Sequence, residues 1–473
     1  VNILSVASEI FPLIKTGGLA DVAGALPGAL AAEGIAVHTL VPGYPAVTQA
    51  LQTAESRHEW PDLFGAPARL LAGQAAGLDL FVLDAPHLFH RPGNPYTGAD
   101  GRDWPDNAQR FAALARAAAD IGLGIIPGYS PEIVHGHDWQ TGLAPAYLAY
   151  AAPNGNRPKT IVTIHNLAFQ GQFPTDILAS LGLPPWSLTV NGVEYYNSIG
   201  YLKAGLFFAN HITTVSPTYA AEIVTPDGGM GMDGLLRARG AALSGIVNGI
   251  DTTVWDPAND PALAATFSAR TLAFRAQNKA ALQARFGLKP DPGALLFTVL
   301  SRLTSQKGID LVIGAIPTIL AEGGQLAVLG AGDAALQQAL QSAANTHAGR
   351  IGVIIGYDES LAHLLQGGGD ALLVPSRFEP CGLTQLCALR YGAIPIVSRV
   401  GGLADTVSEA TGLVFHPVGE PMFIQAINQC AARYQDKPAW QAMQRRAMAA
   451  DVSWSAPARH YAALYRQLAG AKA

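Results

Sequence analysis

The chain has 473 residues, more than one ordinary hydrophobic core organises, so two domains are expected. Hydrophobic residues make up 49% and charged ones 14%, which excludes a disordered chain, and the net charge of −5 comes without the basic stripe of a nucleic-acid-binding protein. No run approaches the roughly 18 uninterrupted apolar residues of a membrane span, and the three cysteines (Cys381, Cys387, Cys430) form no disulfide or zinc pattern, so a cytoplasmic setting without a membrane is expected.

Val1–Ala7 lacks the basic start and long apolar core of a secretory leader and reads as a buried strand, Asn2–Ala7. Lys15-Thr16-Gly17-Gly18-Leu19-Ala20-Asp21-Val22 follows it and opens a helix. Glycines, free amides at a helix start and a lysine compose a phosphate site, although an ordinary glycine turn has the same pattern. It is not a P-loop, because G-x-x-x-x-G-K-[ST] is absent. Further β-branched runs at Ile35–Val41, Leu78–Leu83, Ile133–His135, Thr160–Ile164 and Ile212–Val215 each precede Ala/Leu-rich helical stretches. Two carry polar groups at the strand end. His135-Gly136-His137-Asp138-Trp139 suggests a metal, but no further ligand cluster accompanies it. Asp138 with Trp139 fits carbohydrate better, a carboxylate for hydroxyls and an indole for a sugar face. Thr163-Ile164-His165-Asn166-Leu167 is the second.

Gly229-Met230-Gly231-Met232-Asp233-Gly234 matches G-x-G-x-x-G but follows a Thr-Pro-Asp turn instead of a strand. The joint between domains is expected near Leu243–Trp255, where Val247-Asn248-Gly249-Ile250-Asp251 reads as a turn, and Asp256–Lys289 as a lead-in and helix. A second series of runs follows at Leu295–Leu300, Gln325–Leu329, Ile351–Ile355, Ala371–Val374 and Ile394–Val397. Strands alternating with helices in two series imply two doubly wound α/β domains with parallel sheets, whose ligand loops meet at a shared crevice.

In Ser301-Arg302-Leu303-Thr304-Ser305-Gln306-Lys307-Gly308, Arg302 and Lys307 stand at a strand end, where a guanidinium and an ammonium can grip a diphosphate; the plain alternative is surface charge. Gly330-Ala331-Gly332 follows a strand but lacks the acidic residue about 20 positions on that a dinucleotide site wants, so it reads as a strand-to-helix turn. In Ser376-Arg377-Phe378-Glu379-Pro380-Cys381-Gly382-Leu383-Thr384-Gln385, Glu379 lies beside the amides of Gly382, Leu383 and Thr384, a carboxylate for hydroxyls next to amides for phosphate. Cys381 reads as a small packed residue or a helix-start thiol. Gly-Gly-Leu-Ala-Asp of 17–21 recurs at 401–405, either as a convenient turn or as a second ligand loop. The tail is helical in pattern.

Lys15–Val22, His137–Trp139, His165–Asn166, Lys203-Ala204-Gly205, Thr213–Tyr219, Asn248–Asp251, Ser301–Gly308 and Pro375–Leu386, in this order, resemble bacterial glycogen synthases and plant starch synthases, glycosyltransferase family 5. The resemblance implies a GT-B fold of two Rossmann-like domains facing an interdomain cleft: 1–242 on the acceptor side, 243–455 on the nucleotide-sugar side, and 456–473 as a helix returning to the first. It implies ADP-glucose as donor, the non-reducing end of an α-1,4-glucan as acceptor, retention at the anomeric carbon, and no metal or other cofactor. Arg302 and Lys307 would bind the diphosphate, and Lys15, with Gly17, Gly18 and Asp21, would approach the distal phosphate. Glu379 would hold sugar hydroxyls, with Cys381 and the amides of Gly382, Leu383 and Thr384 around the donor. Asp138, His165 and Asn248 would line the glucose pocket, with Trp139 beside them. Tyr357 would stack on adenine, and Tyr96, in Asn94-Pro95-Tyr96, would lie on the acceptor side. Val400 and Met232 depart from the family's usual Thr and Leu, and Cys387 stands where wider retaining transferases carry a second Glu, which argues against a two-carboxylate mechanism. A UDP-glucose-dependent transferase, a noncatalytic glucan-binding regulator and a phosphorylase share such an architecture; the last needs a pyridoxal-phosphate lysine that no motif here supplies.

Overall fold

The computed structural model describes residues 1–470. The chain forms two compact units, Val1–Asn248 joined by the segment that returns at Trp454, and Gly249–Ser453.

The first unit holds twelve strands: β1 Asn2–Val6, β2 Ala36–Pro42, β3 Gln52–Trp60, β4 Ala68–Ala75, β5 Leu78–Asp84, β6 Ile133–His137, β7 Lys159–Ile164, β8 Gln172–Phe173, β9 Glu194–Tyr195, β10 Ser198–Gly200, β11 His211–Thr214 and β12 Leu243–Gly245. Nine of them make one sheet in the order β12-β11-β7-β6-β1-β2-β5-β4-β3. The run from β12 to β5 is parallel, and β5, β4 and β3 pair antiparallel. β1 and β7 are short, mostly apolar runs buried on both faces, as helix-covered sheets require. β3 and β4 escaped the sequence reading because β3, Gln-Thr-Ala-Glu-Ser-Arg-His-Glu-Trp, is a mostly exposed edge with no apolar run. The helix Ser455–Ala469 buries Ala458, Tyr461, Ala462 and Tyr465 in one cluster with Val22, Leu26 and Leu30 of the helix Gly18–Ala31.

The second unit has a six-stranded parallel sheet, β13 Leu296–Leu300, β14 Gln325–Gly330, β15 Ile351–Ile355, β16 Ala371–Val374, β17 Ile394–Ser398 and β18 Leu413–Phe415, ordered β15-β14-β13-β16-β17-β18. The expected boundary at residue 243 is corrected: Leu243–Gly245 is the edge strand β12, paired with β11, so the first unit runs on to Asn248.

In both sheets the strand order reverses beside the unit's first strand. β1 lies between β2 and β6, and β13 between β14 and β16. Loops at the carboxyl ends of strands flanking such a switch point are where open α/β sheets bind ligands. Those loops are 7–17 and 138–142 in the first unit, and 301–308 and 375–383 in the second.

Candidate active site

In the second unit, the loop after β13 is pinned to the loop after β16. Gly308 has φ +68, and a Cβ there would lie 2.1 Å from the Pro375 carbonyl oxygen, so only glycine fits. The Arg377 guanidinium forks onto Asp310 at 2.7 Å on each oxygen and donates to the Ser305 carbonyl. These links bring Lys307 Nζ to 2.6 Å from Glu379 Oε2, which also accepts from Ser376 Oγ at 3.0 Å. The pair is largely buried, with side-chain exposures of 17% and 7%. A buried carboxylate and ammonium are tolerated because each compensates the other, and removing one partner typically costs about 3–5 kcal/mol. Arg302 lies exposed in the same loop.

The second Gly-Gly-Leu-Ala-Asp supports this carboxylate from behind. Gly401 has φ +42, and a Cβ there would lie 1.9 Å from the Glu379 carbonyl oxygen; on Gly402 it would lie 2.3 Å from that of Cys381. The Gly402 amide donates to the Glu379 carbonyl at 3.0 Å. Close packing of backbone on backbone therefore accounts for this copy. Gly382, at φ +75, turns the chain into the helix Thr384–Tyr391, whose N-cap residue Leu383 makes no side-chain cap. Cys381 is a packed residue, 4% exposed. Tyr357 follows β15 on Gly356, at φ +130, and is 64% exposed.

In the first unit, Lys15 Nζ pairs with Asp21 Oδ1 at 2.9 Å. Glu9 Oε2 accepts from both the amide (2.6 Å) and the hydroxyl (2.7 Å) of Thr16. Burial pushes the Glu9 carboxyl up to about 7. Gly17 differs from Gly401: its backbone is extended (φ −158), and a Cβ there meets nothing within 4 Å. The fold itself does not demand glycine at 17.

Asp138 follows β6 with φ +59, a conformation costing a non-glycine residue about 1–3 kcal/mol. Its Oδ1 accepts the His165 amide at 2.7 Å, which fixes the turn. Burial pushes the Asp138 carboxyl up to about 7, against the hydrogen bonds from the His165 and Asn166 amides and with the Glu9 charge adding to it. His165 follows β7 and shares a 2.9 Å hydrogen bond with His137; burial holds both imidazoles neutral, His137 at about 4 and His165 well below its ordinary value. Asn248, 6% exposed, has a buried Oδ1 with no partner among the described residues. The Tyr96 hydroxyl shares a 2.7 Å bond with Ser8 Oγ, and Asn94 Oδ1 accepts the Tyr96 amide at 2.7 Å. The fully buried Arg110 holds that loop by donating to the Pro95 carbonyl at 2.7 Å.

Trp139 follows Asp138 at the end of β6. Its indole packs in an aromatic cluster, 5.2 Å from Phe111, 5.7 Å from Phe173 and 6.1 Å from Tyr201, with the Gly171 backbone against it. The half-buried indole thus packs beneath the Asp138 turn. Sequence reasoning missed Glu9, Ser376, Arg377 and Arg110. Glu9 lies three residues past a strand end, but nothing local marks it as buried. Among the described residues no three His, Cys, Asp or Glu side chains converge as a metal requires, and no helix is long and apolar enough to cross a membrane.

Residues 2–238 match the model of the starch synthase catalytic domain, and 282–442 that of glycosyl transferases group 1. A glycogen synthase from Rhodopseudomonas palustris strain BisA53 is 60% identical over 100% of this chain and 98% of its own length. One from Acidiphilium cryptum is 59% identical over 99% of both chains. The chain belongs to the glycogen and starch synthase family. It is a glucosyltransferase of glycogen synthesis with a GT-B fold. Among solved structures, the catalytic domain of starch synthase IV from Arabidopsis thaliana, bound to ADP and acarbose, superposes with a TM-score of 0.87 at 31% identity over 99% of both chains. Sucrose-phosphate synthase from Thermosynechococcus elongatus shares the fold, with a TM-score of 0.61 at 18% identity and full coverage of both chains.

Proposed function

We propose that this glucosyltransferase takes glucose from ADP-glucose and adds it to the non-reducing end of an α-1,4-glucan with retention, without metal or other cofactor, in the cytoplasm. The observation that carries the reading is the buried Lys307–Glu379 pair at the switch point of the second sheet, 2.6 Å long and held by both loops. A diphosphate arriving there offers Lys307 a second anion and leaves Glu379 to accept sugar hydroxyls. Arg302 and Lys307 supply the positive charge that a divalent cation supplies elsewhere, and Lys15 adds a cation at the distal phosphate. The binding of ADP and acarbose by the starch synthase relative supports nucleotide and glucan as ligands. The exposed Tyr357 ring suits a purine, and three unbridged thiols suit a reducing compartment.

Chemically, the bond from C1 to the diphosphate oxygen breaks through an oxocarbenium-like state. The acceptor hydroxyl attacks the same face, and its proton passes to the departing diphosphate. Fixed donors worth about 10²–10³ in rate each stabilise that charge. Asp138 is a poor nucleophile here, because its carboxyl accepts two backbone amides and keeps its proton up to about pH 7. It serves the sugar hydroxyls together with His165 and Asn248.

The test is nucleotide release from ADP-glucose and UDP-glucose, with and without glycogen and with and without EDTA. Glycogen-dependent, EDTA-insensitive ADP release supports the reading. Preference for UDP-glucose moves the specificity, EDTA sensitivity removes the metal-free clause, and release from neither donor overturns it. A glucosyl adduct trapped on Asp138 by a fluorinated donor would overturn the front-face step.

A further inference from the structure

The centre of the first sheet breaks the rule for buried parallel strands. Such strands are near-continuous apolar runs. Here Ser5 on β1, His135 and His137 on β6, Thr163 on β7 and Thr213 on β11 form a polar row, each 6% exposed or less. The row is hydrogen-bonded throughout. Ser5 Oγ meets His137 Nε2 at 3.3 Å, and His137 Nδ1 meets His165 Nε2 at 2.9 Å. His135 Nδ1 meets the Tyr465 hydroxyl at 2.7 Å, and its Nε2 meets Thr163 Oγ1 at 2.6 Å, which continues to Thr213 at 2.6 Å. The His135 and His137 rings lie 4.4 Å apart. A local rule broken with every partner satisfied marks a functional support rather than a packing accident.

The row ends at His165. Its Nε2 is tied to His137, and its Nδ1 has no partner among the described residues. The His165 backbone is tied separately, to Asp138. A neutral imidazole has one donor nitrogen and one acceptor, and the bond at one nitrogen decides which the other becomes. We propose that His137 is a positioning residue: through its Nδ1 it holds the His165 ring in one orientation and one tautomer, so that Nδ1 of His165 is presented to the sugar in a defined role. This rests on the reading above that His165 serves the glucosyl site. Two facing nitrogens share one proton, so a second proton on the pair places like charges together. Around them the His135 ring lies 4.4 Å from that of His137, Tyr465 bonds His135 and Asp138 accepts the His165 amide, and among these only Asp138 gains negative charge near neutral pH.

The test uses the full chain labelled with ¹⁵N-histidine, His165 being assigned by the signal lost in His165→Asn. In the parent protein, long-range ¹⁵N–¹H correlations at pH 7 show His165 as a single neutral tautomer. In His137→Phe, which keeps a ring and removes the bond, both tautomers appear and kcat falls about 10²-fold with KM for ADP-glucose little changed. His137→Asn places an amide where Nδ1 stood and restores most of kcat. Identical His165 spectra in parent and His137→Phe, parental kcat in His137→Phe, or an Asn variant no better than Phe overturns the proposal. If His137→Phe does not fold, a mixture of His165 tautomers in the parent overturns it. Parental turnover in His165→Asn would sink the site reading beneath, and the role of His137 with it, whatever the spectra show.

Discussion

The two copies of Gly-Gly-Leu-Ala-Asp should respond in opposite ways to the same methyl group. In Gly401→Ala the added carbon starts 1.9 Å from the Glu379 carbonyl oxygen. Ordinary contact is about 3.4 Å, so the loop must retreat by roughly 1.5 Å. Overpacking of that kind costs about 1–3 kcal/mol, and holding alanine at φ +42 adds about 1–2 kcal/mol. For a unit of this size the sum lowers Tm by about 4–20 °C. The retreating loop carries Glu379, and a displacement near 1 Å costs about 10² in rate. In Gly17→Ala the methyl group meets nothing within 4 Å and the backbone is extended, so Tm should stay within about 2 °C of the parent. Activity should fall at least about tenfold, through KM for the nucleotide sugar, because the methyl group occupies the approach of the ligand. Differential scanning calorimetry and initial rates on both variants check this. A Gly17→Ala protein with parental kinetics would refute the assignment of that loop to ligand, and a Gly401→Ala protein with parental Tm would refute the packing account of the second copy.

Asp138→Asn should be more stable than the parent at pH 8 by up to about 4 kcal/mol, because a carboxyl raised to about 7 by burial loses stability as pH rises from the unfolded value near 3.8 to 7; urea unfolding should show the gain closing towards pH 4, and no gain at pH 8 counts against the burial argument. Tyr357→Ala should leave Tm unchanged, the residue being 64% exposed, and weaken ADP-glucose by about 1–3 kcal/mol of lost stacking, read as KM. Trp139→Phe should lower Tm and leave KM for glucan within about twofold, since the indole packs on Phe111, Phe173 and Tyr201; a large KM change with unchanged Tm returns Trp139 to a sugar-facing role.

Most of the parallel strands were legible because burial on both faces leaves a continuous apolar signature, as in Thr160–Ile164 and Ala371–Val374, but the three-residue β12 and β18 are too short to leave one. The loops following them were legible as breaks in that signature carrying Lys, Arg and Glu. β3 was not, because an exposed edge strand needs no apolar residue. The pairing of Lys307 with Glu379 spans 72 residues and depends on the strand order of β13 and β16, which no local pattern encodes. His137 was visible within His-Gly-His-Asp, yet its partner is set by the adjacency of β6 and β7. The two glycine copies read alike because a glycine required by a neighbouring backbone and one left open to a ligand are spelled the same way. The packing of Trp139 was not legible, because an aromatic beside a carboxylate suits a sugar and a core equally well.

Lys307 is the central group of the proposed diphosphate clamp. The direct measurement is ADP release and glucose incorporation into glycogen by the parent and Lys307→Met, with glycogen binding measured in parallel. The account expects glycogen-dependent ADP release in the parent, a loss of about 10²–10³ in kcat/KM in the variant, and unchanged glycogen affinity. Parental turnover in a folded Lys307→Met protein would contradict it.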